Sequence, residues 1–430
     1  MCELSEIVEH LKQNPVFRMS LASKELFHSN MLAWLLESCD SDNNLLSEIA
    51  KALAKLFMPK QDSENGYKVL TVLREKSHLD LIIVFLPDND DFKSYNRIDL
   101  ENVFQNSGSD DQVLLEKLQK NCRFVVVENK FKSIPDKEQL KKYNKIIEKR
   151  IYFKKIKRTK ISVDLNEENT TRYLMAPKVA LNSCKEELQE ELKKECRKWN
   201  TVSYEGIRDI LKSKIKSDND KDFTAQFIEY YADFLDNMLE LTKDIEEKLN
   251  SPNKSAFPDW QDIFKLKKIR IHDFYEKLWF SVLLNKIIEM TGEGKFNRKG
   301  SGYTNALGLL DLKIEDKEKH VWYGIQIQNK QLRIVVEPEW GYKWQGECPK
   351  EQIIKYCNDI LNFMNQQETC PTFGFSNTKD LCSFKDFKYR YIPLENDISI
   401  KDLASKINKA LTAIQESTLI KFDSAPTEQQ

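Results

Sequence analysis

The segment RFVVVENKFKSIPDKEQLKKYNKII, Arg123 to Ile147, restricts the fold more than any other part of the chain. Phe124 to Val127 are four consecutive apolar residues, the pattern of a strand buried inside a sheet. The strand then ends on Glu128 and Lys130, and side chains two apart on a strand point to the same side. Pro135 and Asp136 break the chain, and Asp136 is the expected cap of a helix from about Lys137 to Lys149. A buried strand followed by a helix calls for an α/β architecture, a mixed sheet flanked by helices. It also sets a carboxylate and an amine side by side at a strand end.

Two further strands are expected upstream, Val69–Arg74 and Leu79–Leu86, the second opening on Asp80 within SHLDLIIVF. Burying an unpaired carboxylate is costly, so Asp80 requires a cation or donors nearby, unless it is a strand-entry acid at the solvent boundary. Residues 3–57 read as helical, with Met31, Leu32, Leu35 and Leu36 and then Ile49, Leu53 and Leu56 at helical spacing. Arg172–Met175 reads as a strand, and 184–198, 204–215 and 222–249 as helices. The stretch SPNKSAFPDW has linker composition. The expected organisation is therefore a first domain over 1–250, a second over 251–422 and a disordered tail over 423–430. The second domain reads as α+β, with a helix near His272–Met290, strands from Leu307, Val321 and Leu332, and helices near 349–364 and 400–414. Its aromatics, Trp322, Tyr323, Trp340, Tyr342 and Trp344, fit core or interface packing, with a recognition surface as the alternative. An echo between VENK at Val127–Lys130 and IQNK at Ile327–Lys330 reads as coincidence, because Gln328 cannot serve as an anionic ligand.

The 430 residues are 40% hydrophobic and 31% charged with a net charge of −1, which describes a soluble globular protein without overall basicity. No apolar run is long enough to span a bilayer, and the acidic, helix-spaced start MCELSEIVEHLKQ does not read as a secretory signal. Nine cysteines without a C-x-x-C speak for reduced thiols in a cytoplasmic protein and against a zinc or iron–sulfur centre. Charge is local: from Asp136 to Lys160 eleven Lys and Arg face three Asp and Glu, interrupted by Tyr152 and Phe153. Such a run is either a solvated face or a track for a nucleic-acid backbone, lysines meeting phosphates and rings stacking on bases.

Asp80 and Glu128, with nearby main-chain oxygens and water, make the oxygen set that a hard cation such as Mg²⁺ takes. Lys130 beside that cation is placed to orient or deprotonate an attacking water and to steady charge on a phosphate. Gln139 and Tyr143, four apart on the following helix, share a face, with Lys141 and Lys142 flanking them. The alternative is an ordinary amphipathic surface.

Asp80, Glu128-Asn129-Lys130 and Gln139-x-x-x-Tyr143 together resemble the PD-(D/E)XK nuclease superfamily, and the Gln-x-x-x-Tyr helix resembles its RecB-like branch. The opening ELFHSNMLAWLLES from Glu25, the YLMAP strand, WNTVSYEGI and the helix with FIEYYADFL are similar to one bacterial group of these proteins, over roughly residues 20–245. The resemblance implies a restriction-endonuclease-like fold and a Mg²⁺- or Mn²⁺-dependent deoxyribonuclease, with defence against foreign DNA as the expected role. It implies that Asp80 and Glu128 bind the metal, that the Asn129 carbonyl completes the protein ligands, and that Lys130 positions or activates water. Gln139 and Tyr143 would contact the nucleic-acid strand or orient the lysine. Glu25 and His28 match the opening helix and either approach the metal or substrate or, for His28, cap and pack. Asp80 is preceded by Leu79 where the family often has Pro, and Asp99 in the long polar insertion is a rival acid. DNA is the expected partner, and the C-terminal domain is the expected site of any homo-oligomer or partner-subunit contact. The alternative function is a catalytically idle nuclease fold that binds nucleic acid or protein.

Overall fold

The computed structural model describes residues 3–21, 26–58, 66–76, 78–87, 118, 120–133, 135, 137–147, 151–156, 159–163, 169–184, 199–215, 222–291, 310–316, 321–328, 330–338, 382–384 and 387–419. They fall into two compact units: the chain up to Asp244 with Lys265–Phe274, and Ile245–Phe264 with the chain from Tyr275 onward.

Four helices open the first unit: α1 (Leu4–Gln13), α2 (Pro15–Ser20), α3 (Leu26–Glu37) and α4 (Asn44–Phe57). Local chemistry starts two of them. Asn14 accepts from the Phe17 amide at 3.0 Å with Pro15 in the first turn of α2, and Asn43 accepts from the Leu46 amide at 3.2 Å at the start of α4. Helix α3 buries His28, Ser29, Met31, Leu32, Ala33, Leu35 and Leu36, more than one face, as an interior helix does.

The strands follow: β1 (Tyr67–Lys76), β2 (Leu79–Pro87), β3 (Arg123–Asn129), then, after helix α5 (Lys137–Ile147), β4 (Ile151–Ile156), β5 (Thr159–Val163), β6 (Thr170–Ala176) and β7 (Trp199–Ser203). Five of them form one mixed sheet in the order β1-β2-β3-β6-β7. The first three are antiparallel, while β3–β6 and β6–β7 are parallel, so the chain between β3 and β6 is a crossover. This is the restriction-endonuclease-like α/β arrangement expected from the sequence. Strand β1 carries a bulge at Leu70, where the register to β2 shifts between Val69 and Thr71. Glu37, at the end of α3, accepts there from the Val72 amide at 2.9 Å and from the Thr71 hydroxyl at 3.3 Å.

Side-chain alternation sorts the sheet into two covered faces. Ile82, Val84 and Leu86 of β2, Phe124 and Val126 of β3 and Leu174 of β6 pack with Leu140, Tyr143 and Ile147 of α5. Helix α5 is further tied to β7 by the Trp199 indole, whose N–H donates to Asn144 Oδ1 at 3.0 Å, both residues being buried. The other side is covered by α3 and α4, which lie against β1, and by α6 (Tyr204–Lys214), which lies against β7 and α4. The long helix α7 (Phe223–Lys248) follows. The hairpin β4–β5 stands apart as a two-stranded ribbon inside the basic run, where the sequence reading set no strands.

In the second unit an antiparallel sheet takes the order β11-β12-β10-β9-β8, from β8 (Leu310–Asp316), β9 (Val321–Gln328), β10 (Gln331–Pro338), β11 (Cys382–Phe384) and β12 (Phe387–Pro393). Helices α8 (Trp260–Lys268) and α9 (His272–Thr291) precede it in the chain, and α10 (Ile400–Leu419) packs against β9. The result is an α+β unit. The SPNKSAFPDW stretch is not a free linker. Ala256 and Phe257 are buried, the Ala256 amide donates to the Ile398 carbonyl at 2.9 Å, and the Trp279 indole donates to the Ala256 carbonyl at 2.9 Å. The expected helix over 184–198 beyond Cys184, the expected helix over 349–364, the tail 423–430, and Trp340, Tyr342 and Trp344 lie outside the described residues. Among the described residues no helix is long and apolar enough to cross a membrane.

Candidate active site

Two adjacent strands build the site. In the β2–β3 register Leu81 faces Val127, so the next pair along is Asp80 opposite Glu128. Directly opposed residues of an antiparallel pair share a face, and here it is the face covered by α5. The start of β2 is fixed by a tight turn in which Lys76 pairs with Leu79 and His78 takes a left-handed φ of 69°. Asp80, half-buried, accepts from the Asn129 amide at its Oδ2 over 2.8 Å. Lys130, two residues beyond Glu128, returns to the same side and brings Nζ to 2.8 Å from Glu128 Oε1. The acid, acid and lysine expected from the sequence are thus brought to one end of one sheet face.

The Glu128 side chain is 0% exposed. Among the described residues neither carboxylate oxygen has an aligned hydrogen-bond donor, although the Lys130 ammonium lies within ion-pair distance. Burial pushes the Glu128 pKa up to about 8; Lys130 pulls it down, and the Asp80 charge pushes it further up. Two facing carboxylates, one of them buried, repel each other, and a cation bound between them would offset that repulsion. The described residues contain no group of three His, Cys, Asp or Glu side chains suited to a metal. Asp80 and Glu128 could, with main-chain and water oxygens, hold a hard divalent cation in preference to a soft one.

Helix α5 roofs this face. Gln139 donates from Nε2 to the Tyr143 hydroxyl at 3.0 Å, the i,i+4 contact that the spacing called for. Burial raises the Tyr143 phenol pKa, and the Glu128 and Asp80 charges raise it further, which places the hydroxyl within their field. Lys141 is half-buried and Lys142 exposed. His28 lies elsewhere. Its ring is fully buried among Phe131, Tyr204, Tyr231 and Phe234, with Nδ1 at 3.2 Å from the Tyr231 hydroxyl and no hydrogen-bond partner for Nε2 among the described residues. Burial, and then the Lys132 charge, lower its pKa well below the usual imidazole range. Glu25 and the rival acid Asp99 lie outside the described residues.

A model of the PD-(D/E)XK nuclease superfamily matches residues 15–233, just over half of the chain. The chain belongs to the PD-(D/E)XK nuclease superfamily. The match spans every strand of the first sheet and ends before the second unit. Neither a search of curated proteins nor one of solved structures finds a match. The matched span includes Asp80 of β2 and the Glu-x-Lys of β3, a sequence pattern of the kind the superfamily's name spells out, with Leu79 standing before the acid. Two residues at this strand end were not singled out by the sequence reading. Asn129 points away from the carboxylates; its Nδ2 donates to Ser29 Oγ at 3.0 Å and its Oδ1 accepts from the Tyr204 hydroxyl at 2.6 Å. Both partners sit inside quoted segments, ELFHSNM and WNTVSYEGI, yet no spacing rule links residues 100 and 75 positions from Asn129.

Proposed function

We propose that the protein is a Mg²⁺- or Mn²⁺-dependent nuclease that hydrolyses phosphodiester bonds of DNA at the β2–β3 strand end. The observation carrying this reading is the convergence of Asp80, the buried Glu128 and Lys130 on one face. Asp80, Glu128 and the Asn129 carbonyl would hold the cation. Extended residues direct N–H and C=O to the same edge, so that carbonyl faces the strand bearing Asp80. When bound, the cation supplies positive charge to the phosphate oxygens as the transition state forms and eases ionisation of water. Glu128, whose oxygens have no aligned donor among the described residues, offers them to that charge. Lys130 Nζ orients the attacking water and stabilises charge gathering on the phosphate. Tyr143, oriented by Gln139, presents its hydroxyl beside the carboxylates and is the candidate contact to the nucleic-acid strand. The basic run over 136–160, with Lys141 and Lys142, supports a polyanionic substrate. The presence together of acid, acid and lysine favours turnover over an idle binding module.

The test is incubation of purified protein with linear, circular and single-stranded DNA, and with RNA, in Mg²⁺, Mn²⁺ or EDTA. Cleavage of a DNA form with metal and none in EDTA is expected; RNA cut in preference to every DNA would overturn the substrate assignment. Defence against foreign DNA is the role proposed for this activity. Phage should plate less efficiently on cells carrying the wild-type protein than on cells carrying Asp80→Ala.

A further inference from the structure

The central residue of Glu128-Asn129-Lys130 faces away from the carboxylates, and three observations converge on it. Asn129 is 0% exposed. Its side-chain amide is held at both ends, by Ser29 Oγ at 3.0 Å and by the Tyr204 hydroxyl at 2.6 Å, and both partners are buried. Its backbone N–H donates to Asp80 Oδ2 at 2.8 Å, and the next amide, that of Lys130, donates to the Met175 carbonyl at 2.8 Å. One side chain, gripped on one side of the sheet, thus fixes the peptide that holds Asp80 on the other.

We propose that Ser29 and Tyr204 are positioning residues for the metal site, acting through the Asn129 side chain. The inference rests on the metal-dependent reading above. Ser29 comes from α3 and Tyr204 opens α6, so two helices far apart in the chain clamp one amide. A serine hydroxyl accepts from Nδ2, a tyrosine hydroxyl donates to Oδ1, and the two together select one orientation of the amide. With the side chain locked, the strand end cannot roll, and both the Asn129 carbonyl and the Asp80 carboxylate stay aimed at the cation. This gives a role to the His-Ser of the opening helix and the Ser-Tyr at the start of α6, which the chemistry proposed at Glu128 and Lys130 leaves unused. His28, next to Ser29 and packed on Phe131 and Tyr204 with ring centroids 4.0 and 5.9 Å away, serves as apolar backing for the clamp.

The test compares wild type with Tyr204→Phe, Ser29→Ala and Ser29→Thr in the full chain. It reads Mn²⁺ affinity by calorimetry, the Mn²⁺ dependence of DNA cleavage, and the melting temperature. Removing partners that orient metal ligands weakens metal binding about 10- to 100-fold. Tyr204→Phe and Ser29→Ala should therefore bind Mn²⁺ at least about tenfold more weakly, and excess Mn²⁺ should recover most of their cleavage rate. Ser29→Thr, which keeps the hydroxyl, should stay near wild type. In an Asn129→Ala background, Tyr204→Phe should have no further effect on Mn²⁺ affinity. Folded Tyr204→Phe and Ser29→Ala proteins that bind Mn²⁺ as wild type does, with only the melting temperature lowered, would overturn the clamp and leave the nuclease reading standing. Wild type that binds no Mn²⁺ would overturn both.

Discussion

Glu128 is the buried carboxylate of the proposed site. An ordinary glutamate ionises near pH 4.5, and this one, buried beside Asp80, does so at about 8. The folded chain therefore holds a proton that the unfolded chain has released throughout that interval. Where the native state binds more protons, stability falls as pH rises. Glu128 thus contributes a loss of stability between about pH 4.5 and about pH 8 that levels off above, at about 1.4 kcal/mol per pKa unit as an upper bound. Glu128→Gln, which cannot ionise, should gain stability relative to wild type as pH rises from 5 to 8 in metal-free buffer. Urea unfolding at several pH values measures this; a constant difference between the two proteins would contradict it. The sequence showed that Glu128 and Lys130 share a side, because strand periodicity is local. It did not show that Asp80 stands directly opposite Glu128, because register depends on the turn at His78 and on pairing across the insertion between β2 and β3.

Elements carry these residues through contacts that composition alone conceals. The bulge in β1 leaves the Val72 amide to be satisfied by Glu37 rather than by the ladder. Truncating Glu37 to Ala strands that amide and the buried Thr71 hydroxyl, at a cost of about 1–3 kcal/mol. Glu37→Gln retains an acceptor oxygen and should cost less than half as much. Chemical denaturation of both variants is the check, and equal losses would show that the charge, not the acceptor, matters. Strands β2 and β3 and helix α5 were legible because each is a clear periodic or apolar segment. The hairpin β4–β5 was not: five Lys and Arg over 151–163, at the end of the basic run, mask the alternation of a ribbon, and a charge run without periodicity reads as a loop. SPNKSAFPDW misled in the opposite sense. Its prolines and serines look like a linker, yet Ala256 and Phe257 supply enough apolar surface to be drawn into the second unit. The grip of Ser29 and Tyr204 on Asn129 was hidden because it joins residues distant in the chain through uncharged hydroxyls, which carry no compositional signal.

At the scale of the whole molecule, a chain of net charge −1 must attract a polyanion through a local patch. Neutralising phosphates releases counterions, so affinity falls with salt at a log–log slope of about −0.9 per contact on duplex DNA. Replacing Lys141, Lys142 and Lys145 of α5 by Gln should make that slope shallower by about one to three contacts. Metal-free binding titrations over a range of salt read the change directly. An unchanged slope would assign the basic run to a solvated face. The echo of VENK in IQNK also finds its place at this scale. Asp80 is opposite Glu128 in a sheet that continues in parallel, whereas Asp311 pairs with Gln326 in a wholly antiparallel sheet, so the two segments occupy different topologies.

The most direct test measures metal binding and cleavage side by side for wild type, Asp80→Asn and Lys130→Met. Asp80→Asn should lose Mn²⁺ affinity and cleavage together. Lys130→Met should bind Mn²⁺ within a few-fold of wild type while its single-turnover cleavage rate drops by about 10²-fold or more. Lys130→Met cutting at the wild-type rate, or Asp80→Asn binding Mn²⁺ as wild type does, would contradict the assignment of a metal-holding acid pair and a lysine working beside it.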